Sequence, residues 1–437
     1  MKTIRVPGDK SISQRALILA SLATGESRLR GVLPGDDPKA TTAVLRALGA
    51  DFPRLPEDGA EIRVQGLGLH GLREPQGVLD FENSGTGSRL MLGVLAAQSF
   101  TTRTTGDASL RSRPMGRVTR PLSQMGATFR ELGESDRLPL EIVGSPLKAL
   151  YYDSPVASAQ VKSALLLAGL VGETFVLVSE PRHSRDHTER MLAMVGAPVV
   201  SHENGGRWHV ELREPPSVIQ PLDLYVPGDL SSAAFFVVLA LLGGVEGELT
   251  IENVGLNPTR TGLLSVLTRM GAHVAVTGME GGAAPALDEV GEPAGALLVS
   301  ASSLRATDVE EAEVPAMIDE FPILAVAAAR AEGITRITGA AELRVKESDR
   351  IRALVDNLRA VGVEVEELED GLEISGSDRP LEGAVSSHDD HRIAMAFGVL
   401  GALPRNRIEV RGGSVVDVSF PGFWTTLDRL SLARPAS

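Results

Sequence analysis

An α/β fold of two similar halves is predicted by three features: a turn phrase used twice, a helix ending used five times, and a composition suited to tight strand–helix joints. Residues 6–11 read VPGDKS and residues 226–231 read VPGDLS, 220 positions apart. Each runs into a long apolar stretch, RALILASLA and AAFFVVLALLGG. Pro-Gly-Asp is turn chemistry, and a serine heading an apolar run is a helix N-cap signal. The same strand–turn–helix move made twice implies two pseudo-equivalent halves.

The helix endings are LRALGADF with Gly49, LSQMGATF with Gly126, MLAMVGAPV with Gly196, LTRMGAHV with Gly271 and LRAVGVEV with Gly362. Apolar residues at three- and four-residue spacing, then glycine, then a short apolar run describe a helix stopped by a C′ glycine and followed by a strand. The glycines lie 77, 70, 75 and 91 residues apart, which exceeds the period of about 20–50 residues of solenoid repeats. A sixth unit fits around FWTTLDRL, which lacks the glycine. About six αβ modules, three per half, are expected.

Composition bounds the function. Apolar content is 43%, aromatics are 4%, and 46 of 437 residues are glycine. Net charge is −14 and the isoelectric point about 5.2, which argues against a nucleic-acid or anionic-membrane partner, since both need a basic face. The absence of cysteine removes disulfides, thiolate nucleophiles, Cys-ligated zinc and iron–sulfur clusters. MKTIRVPG lacks the apolar core of a signal peptide. The longest apolar run, Ala233 to Val245, falls short of the roughly 20 residues that cross a bilayer. A cytoplasmic protein is expected.

The length alone suggests roughly three domains, but the duplication argues for two. The halves are expected to join near residues 10 and 227: residues 11–227 form one, and residues 1–10 with 228–437 the other, through a two-segment hinge. Polar or Gly/Pro-rich breaks are read at 200–221 and 277–296, and the tail ARPAS as frayed.

Charged clusters stand at predicted helix starts. The first turn copy carries Lys10, Ser11 and Arg15 where the second has Leu230 and Phe235 at the places of the two cations. Asn83 to Arg89 (NSGTGSR) is a glycine-rich turn whose N–H groups can approach a phosphate or carboxylate. Arg111-Ser112-Arg113-Pro114 sets two planar guanidinia beside a proline, and Ser158-Ala159-Gln160-Val161-Lys162 heads SALLLAGL. Arg185, Lys346, Arg350 and Arg392 head further apolar runs. A helix N-terminus disfavours a cation by roughly 0.3–1 kcal/mol. One misfit is an ordinary capped helix with a snorkelling side chain; five or six point to helix N-termini converging on a highly anionic ligand, in a cleft between the halves. Asp319 and Glu320, Glu347 and His391 are the proton-transfer candidates among them.

These motifs carry a resemblance. PGDKSISQRALILASLA, NSGTGSRL, RSRPM, SAQVKSALLLAGL, RDHTE, NPTR, MIDEFP, RVKESDR and DDHRIAMAF, in order from residue 7 to about 400, resemble the signatures of the EPSP synthase family of enolpyruvyl transferases. SAQVK, RDHTE and NPTR are similar to its second, bacterial class. The resemblance implies two domains, each of three βαβαββ modules about a pseudo-threefold axis. It also implies transfer of enolpyruvyl from phosphoenolpyruvate (PEP) to the 5-hydroxyl of shikimate-3-phosphate through a tetrahedral intermediate. A monomer without metal or organic cofactor is implied. By matching position, Lys10 resembles the lysine shared by both substrates, and Ser11, Arg15, Ser158, Ala159, Gln160 and Arg185 resemble contacts to shikimate-3-phosphate. Gly85, Arg113, Gln160, Arg350 and Arg392 resemble contacts to PEP. Asp319 is similar to the acid/base on the 5-hydroxyl, with Lys346 beside it, and Glu347 to the partner in C3 proton transfer. Gly85 matches the glycine whose replacement by alanine crowds glyphosate, a PEP analogue. Ala159, Glu342 and Val418 depart from the enterobacterial class, which has serine, asparagine and lysine there.

Two other readings are open at this level. The sister family acting on UDP-N-acetylglucosamine shares the fold but pairs its lysine with asparagine and uses a loop cysteine. The run His388-Asp389-Asp390-His391 has the ligand types of a metal-dependent phosphohydrolase.

Overall fold

The chain changes from one compact unit to another at its two VPGD phrases. This computed structural model describes residues 2–197, 199–278 and 291–432. The N-unit holds residues 8–226 with Gly291 and Glu292, and the C-unit holds residues 2–7, 227–278 and 293–432. The first crossing falls between Pro7 and Gly8, so Lys10 lies in the N-unit and not, as the sequence suggests, with the first strand. Only the flanks of the expected break at 277–296 are among the described residues, and ARPAS lies outside them.

After β1 (Lys2–Arg5), the first module runs α1 (Lys10–Leu22), β2 (Thr24–Arg30), α2 (Asp36–Ala47) and β3 (Ile62–Leu67). The second runs β4 (Leu79–Asp80), α3 (Gly85–Ala96), β5 (Thr101–Thr105), α4 (Ala108–Ser112), α5 (Gly116–Gln124), β6 (Thr128–Glu131) and β7 (Leu140–Val143). The third runs β8 (Leu150–Asp153), α6 (Ala159–Val171), β9 (Val176–Glu180), α7 (His187–Met194), β10 (Val199–Asn204) and β11 (Arg207–Leu212). After β12 (Asp223–Tyr225), the C-unit opens with α8 (Leu230–Leu241), β13 (Leu249–Gly255), α9 (Gly262–Arg269), β14 (His273–Thr277) and β15 (Ala294–Ser300). Its next module is β16 (Asp308–Val309), α10 (Phe321–Ala329), β17 (Ile334–Ile337), α11 (Arg350–Ala360), β18 (Glu364–Glu367) and β19 (Leu372–Ser375). The sixth is β20 (Glu382–Ser386), α12 (His391–Gly401), β21 (Arg407–Arg411) and α13 (Phe423–Leu430).

Each module contributes one sheet. Those of the N-unit have strand orders β12-β2-β3, β4-β5-β7-β6 and β10-β11-β9-β8; those of the C-unit have β1-β13-β15-β14, β16-β17-β19-β18 and β20-β21. Two strands are exchanged. β1 pairs in parallel with β13, while β12 pairs in parallel with β2.

Six helices fill the two cores: α1, α3 and α6 in the N-unit, α8, α10 and α12 in the C-unit. Each is buried along almost its whole length, and beyond the polar first turns apolar residues on every side replace an exposed polar face. Small residues set the packing distance. A Cβ on Gly93 of α3 would stand 2.0 Å from the carbonyl oxygen of Ala164 in α6.

All five predicted glycine stops occur, with φ of 99°, 117°, 82°, 92° and 88° at Gly49, Gly126, Gly196, Gly271 and Gly362. Each completes a Schellman motif: Gly49 N–H donates to Arg46 O at 2.9 Å and Ala50 N–H to Leu45 O at 3.0 Å, and the other four repeat the pattern. The N-caps correct the sequence reading. Asp9 and Asp229, not the serines, cap α1 and α8, accepting from Ile12 N–H at 2.9 Å and Ser231 N–H at 2.8 Å. Their carboxylates stand one place ahead of the first helical residue, which leaves Ser11 and Ser231 inside the first turn.

Candidate active site

In the N-unit the capped start of α1 presents Lys10, whose Nζ lies 3.1 Å from Asp37 Oδ2 at the start of α2. Arg15, one turn further on, is buried. Its Nε donates to Thr188 Oγ1 at 2.7 Å, one Nη to Ser163 Oγ at 2.8 Å and the other to the Ser11 carbonyl at 3.0 Å. Burial lowers its pKa to about 10, with Glu189 the largest of the influences opposing that fall. Arg15 therefore stays charged at neutral pH.

A second group forms around the start of α3. Ser84 caps it by accepting from Gly87 N–H at 3.1 Å. Gly85 faces two guanidinia: a Cβ there would lie 3.0 Å from an Nη of Arg113 and 3.1 Å from one of Arg89. Arg113 donates to Asn83 Oδ1 at 2.6 Å and Ser109 Oγ at 3.1 Å. Arg89 donates to Gln160 Oε1 at 3.0 Å, and Gln160 donates onward to Thr86 Oγ1 at 3.0 Å. Gly85, Arg113 and Gln160 are thus brought together, with Arg89, the last residue of the glycine-rich turn, as a bridge to which the sequence reading gives no role. Ser158 stands at the N-cap of α6 with no side-chain capping bond, and Ala159 opens the helix. Arg185 is half-buried within electrostatic reach of Arg15.

In the C-unit the centre is Arg350, the first residue of α11 and wholly buried. Its guanidinium meets three carboxylates: Asp390 Oδ2 at 2.8 Å, Glu347 Oε2 at 2.6 Å and Asp319 Oδ1 at 3.3 Å. Burial alone would depress its pKa, but Asp390, Glu347 and Asp319 together raise it above the ordinary arginine value. Arg392 approaches the same Asp319, its Nε 3.8 Å from Oδ1 and an Nη 3.3 Å from the backbone carbonyl. Lys346 is half-buried, and desolvation followed by the repulsion of Arg350 lowers its pKa, with Asp319, Glu342 and Glu347 opposing. A carboxylate between two guanidinia, beside a second carboxylate and a lysine, can orient a hydroxyl and move a proton. Glu342 is half-buried in a 3₁₀ turn, and Val418 ends another.

Two expectations need correction. Cations at helix starts are expected from the sequence to face a ligand, yet Lys162 is turned wholly inward onto Glu180 and Glu189, with Nζ 2.8 Å from each. The His388–His391 metal reading is disfavoured because Asp390 is already committed, capping α12 through Arg392 N–H at 2.9 Å and pairing with Arg350. Among the described residues no group of three or more His, Asp or Glu is placed to hold a metal ion.

Asp37 escapes sequence reasoning, and Ser163 and Thr188 stand in quoted motifs without a role assigned to them, since folding alone joins all three to the cations. Asp390 stands within a quoted motif, and its position one residue before an apolar run is a readable cap signal. Arg260 of the NPTR motif is also buried, donating to Ser231 Oγ at 2.6 Å and pairing with Asp229 and Glu320, each at 3.4 Å.

Comparisons with known proteins identify the family. The sequence model of the family described as EPSP synthase (3-phosphoshikimate 1-carboxyvinyltransferase) matches residues 1–427. The 3-phosphoshikimate 1-carboxyvinyltransferase of Synechococcus sp. (strain JA-3-3Ab) is 49% identical over 99% of this chain and 95% of its own. That of Desulforudis audaxviator is 47% identical over 98% and 96%. Among solved structures, the EPSP synthase of Acinetobacter baumannii superposes with a TM-score of 0.84 at 42% identity, covering 99% of this chain and 96% of that one. The enolpyruvyl transferase NikO of Streptomyces tendae, at 18% identity and TM-score 0.75, shares the fold. With the match running from end to end, the chain belongs to the EPSP synthase family, the 3-phosphoshikimate 1-carboxyvinyltransferases.

Proposed function

We propose that this chain transfers the enolpyruvyl group of PEP to the 5-hydroxyl of shikimate-3-phosphate and releases phosphate. The arrangement of Asp319 and Glu347 around Arg350 carries the reading: two carboxylates positioned by one buried guanidinium suit a reaction that moves protons at two atoms, the acceptor oxygen and C3 of PEP. Asp319 takes the proton of the 5-hydroxyl as its oxygen adds to C2 of PEP. Glu347 delivers a proton to C3 and later recovers one, as phosphate leaves the tetrahedral intermediate. Lys346 offsets charge developing near Asp319. Arg350 and Arg392 hold PEP with Arg113 and Gln160, while Gly85 keeps open the space beside Arg113. Lys10 serves both substrates; Ser11, Arg15, Ser158, Ala159, Gln160 and Arg185 hold shikimate-3-phosphate. Both substrates carry a phosphate and a carboxylate, for which planar guanidinia are suited. The protein acts as a cytoplasmic monomer. No described helix is long and apolar enough to cross a membrane.

The test is phosphate release with each substrate alone and with both. Turnover should require PEP and shikimate-3-phosphate together. UDP-N-acetylglucosamine offered as acceptor should give none; release with it would move the chain to the sister activity.

A further inference from the structure

Behind Arg15 lies a buried ionic cluster that the reaction steps above do not use. Lys162, in the first turns of α6, has no exposed side-chain surface, and its Nζ stands 2.8 Å from Glu180 Oε1 and 2.8 Å from Glu189 Oε1. It also donates to the Ser184 carbonyl at 3.2 Å. Glu180 is held further by the backbone N–H of Ser184 at 2.9 Å and its hydroxyl at 2.8 Å. One ammonium and two carboxylates leave this triad one negative charge in excess, in a place water does not reach. Burial would strip the charge from Lys162, but Glu189 and Glu180 reverse that and hold it protonated.

The triad touches Arg15 through sequence neighbours on both sides. Ser163 follows Lys162 in α6, and Thr188 precedes Glu189 in α7. These two hydroxyls grip Arg15 at 2.8 Å and 2.7 Å and are joined to each other by a 2.6 Å hydrogen bond from Thr188 Oγ1 to Ser163 Oγ. The Lys162–Glu189 pair therefore braces the two helix starts that form the ring around the guanidinium. Electrically the cluster matters as well. Glu189 is the strongest of the charges that keep Arg15 protonated, ahead of Asp9 and Glu292, while Arg185 opposes them. Burial raises the pKa of Glu189, and Lys162 opposes that rise by its charge and its hydrogen bond; with all four groups ionised, the cluster and Arg15 carry two positive and two negative charges.

We propose that Lys162, Glu180 and Glu189 are positioning residues that fix Arg15, by shape and by counter-charge, for the phosphorylated ring substrate. The proposal rests on the reading of Arg15 as a shikimate-3-phosphate contact. It explains why a lysine stands in the SAQVK motif without facing the ligand.

The test is calorimetric titration of shikimate-3-phosphate into the whole protein, with steady-state kinetics alongside. Compared with the native chain are Arg15→Ala, Glu189→Gln, and the double variant Lys162→Met with Glu189→Gln. Removing Glu189 alone leaves the cluster one positive charge in excess, whereas removing Lys162 with it restores the native net charge. Glu189→Gln should weaken shikimate-3-phosphate binding about tenfold while kcat and the KM for PEP stay within about twofold, because only the Arg15 contact is disturbed. The double variant restores the net charge of the cluster but not the Lys162–Glu189 pair, and should recover part of that loss. If Arg15→Ala weakens binding but Glu189→Gln does not, or if the double variant binds worse than Glu189→Gln, the cluster merely packs the core and the proposal fails. If Arg15→Ala itself leaves binding unchanged, the assignment of Arg15 fails first and takes the proposal with it.

Discussion

At the scale of single residues, function here depends on space and charge held by near neighbours. A methyl group at Gly85 would press on the guanidinium of Arg113 at 3.0 Å and that of Arg89 at 3.1 Å. Gly85→Ala should therefore raise the KM for PEP, about tenfold for a displacement of a few tenths of an ångström, and leave shikimate-3-phosphate binding nearly unchanged. Steady-state kinetics with each substrate varied decides it; equal effects on both would show that Gly85 is not a local PEP contact. Lys346 supplies a pH test. Its pKa is depressed, chiefly by burial and then by Arg350, so it loses its positive charge at lower pH than an ordinary lysine as alkali is added. Activity that needs that charge should decline early on the alkaline side. Lys346→Arg, which cannot be deprotonated in that range, should carry the decline to higher pH. An unmoved alkaline limb would remove Lys346 from the reaction. Residue identity is partly legible in the sequence: Asp319, Glu347, Arg350 and Arg392 stand in motifs and do come together. Asp37 beside Lys10 is not, because 27 positions of chain separate the two and no local pattern reports a partner made by folding.

At the scale of elements, the helices are governed by their ends and by their closest approaches. Gly362 and Gly93 make the contrast. Gly362 has φ 88°, and a Cβ added there would meet nothing within 4 Å, so Gly362→Ala should cost only the left-handed conformation, about 1–2 kcal/mol. Gly93→Ala would drive a methyl group into the Ala164 carbonyl at 2.0 Å, prying α3 from α6, and should cost roughly 3 kcal/mol or more. Thermal unfolding of the two variants measures the difference; a similar loss in both would contradict the packing described. The glycine stops are readable because a C′ glycine is a local device, written in the residues that use it. The caps are misassigned to Ser11 and Ser231 because Asp9 and Asp229 satisfy the same chemical rule two positions earlier. Lys162 misleads for a related reason: a helix-start lysine reads alike whether it faces a ligand or a buried carboxylate.

At the scale of the whole molecule, the chain is strongly acidic, with net charge −14, yet its candidate site is built from cations. Each anionic substrate must be drawn from solvent against the overall field by locally concentrated guanidinium and ammonium groups. Added salt screens that attraction, with a Debye length near 10 Å at about 0.1 M. The KM for both substrates should therefore rise with ionic strength while kcat changes little, and insensitivity to salt would argue against cationic recognition. Two similar units of three modules are legible from the duplicated turn and the repeated glycines. The exchange of β1 and β12 between sheets is legible only in part, since which strand pairs with which is decided by long-range registry.

The central claim is that Lys10 and Asp319 both serve enolpyruvyl transfer. The most direct measurement is phosphate release from PEP and shikimate-3-phosphate by the native chain, Lys10→Ala and Asp319→Ala under the same conditions. The account predicts a drop of at least about a hundredfold in kcat for Asp319→Ala and near-complete loss of turnover for Lys10→Ala, with both variants folded as the native chain is. Native turnover in either variant would contradict it.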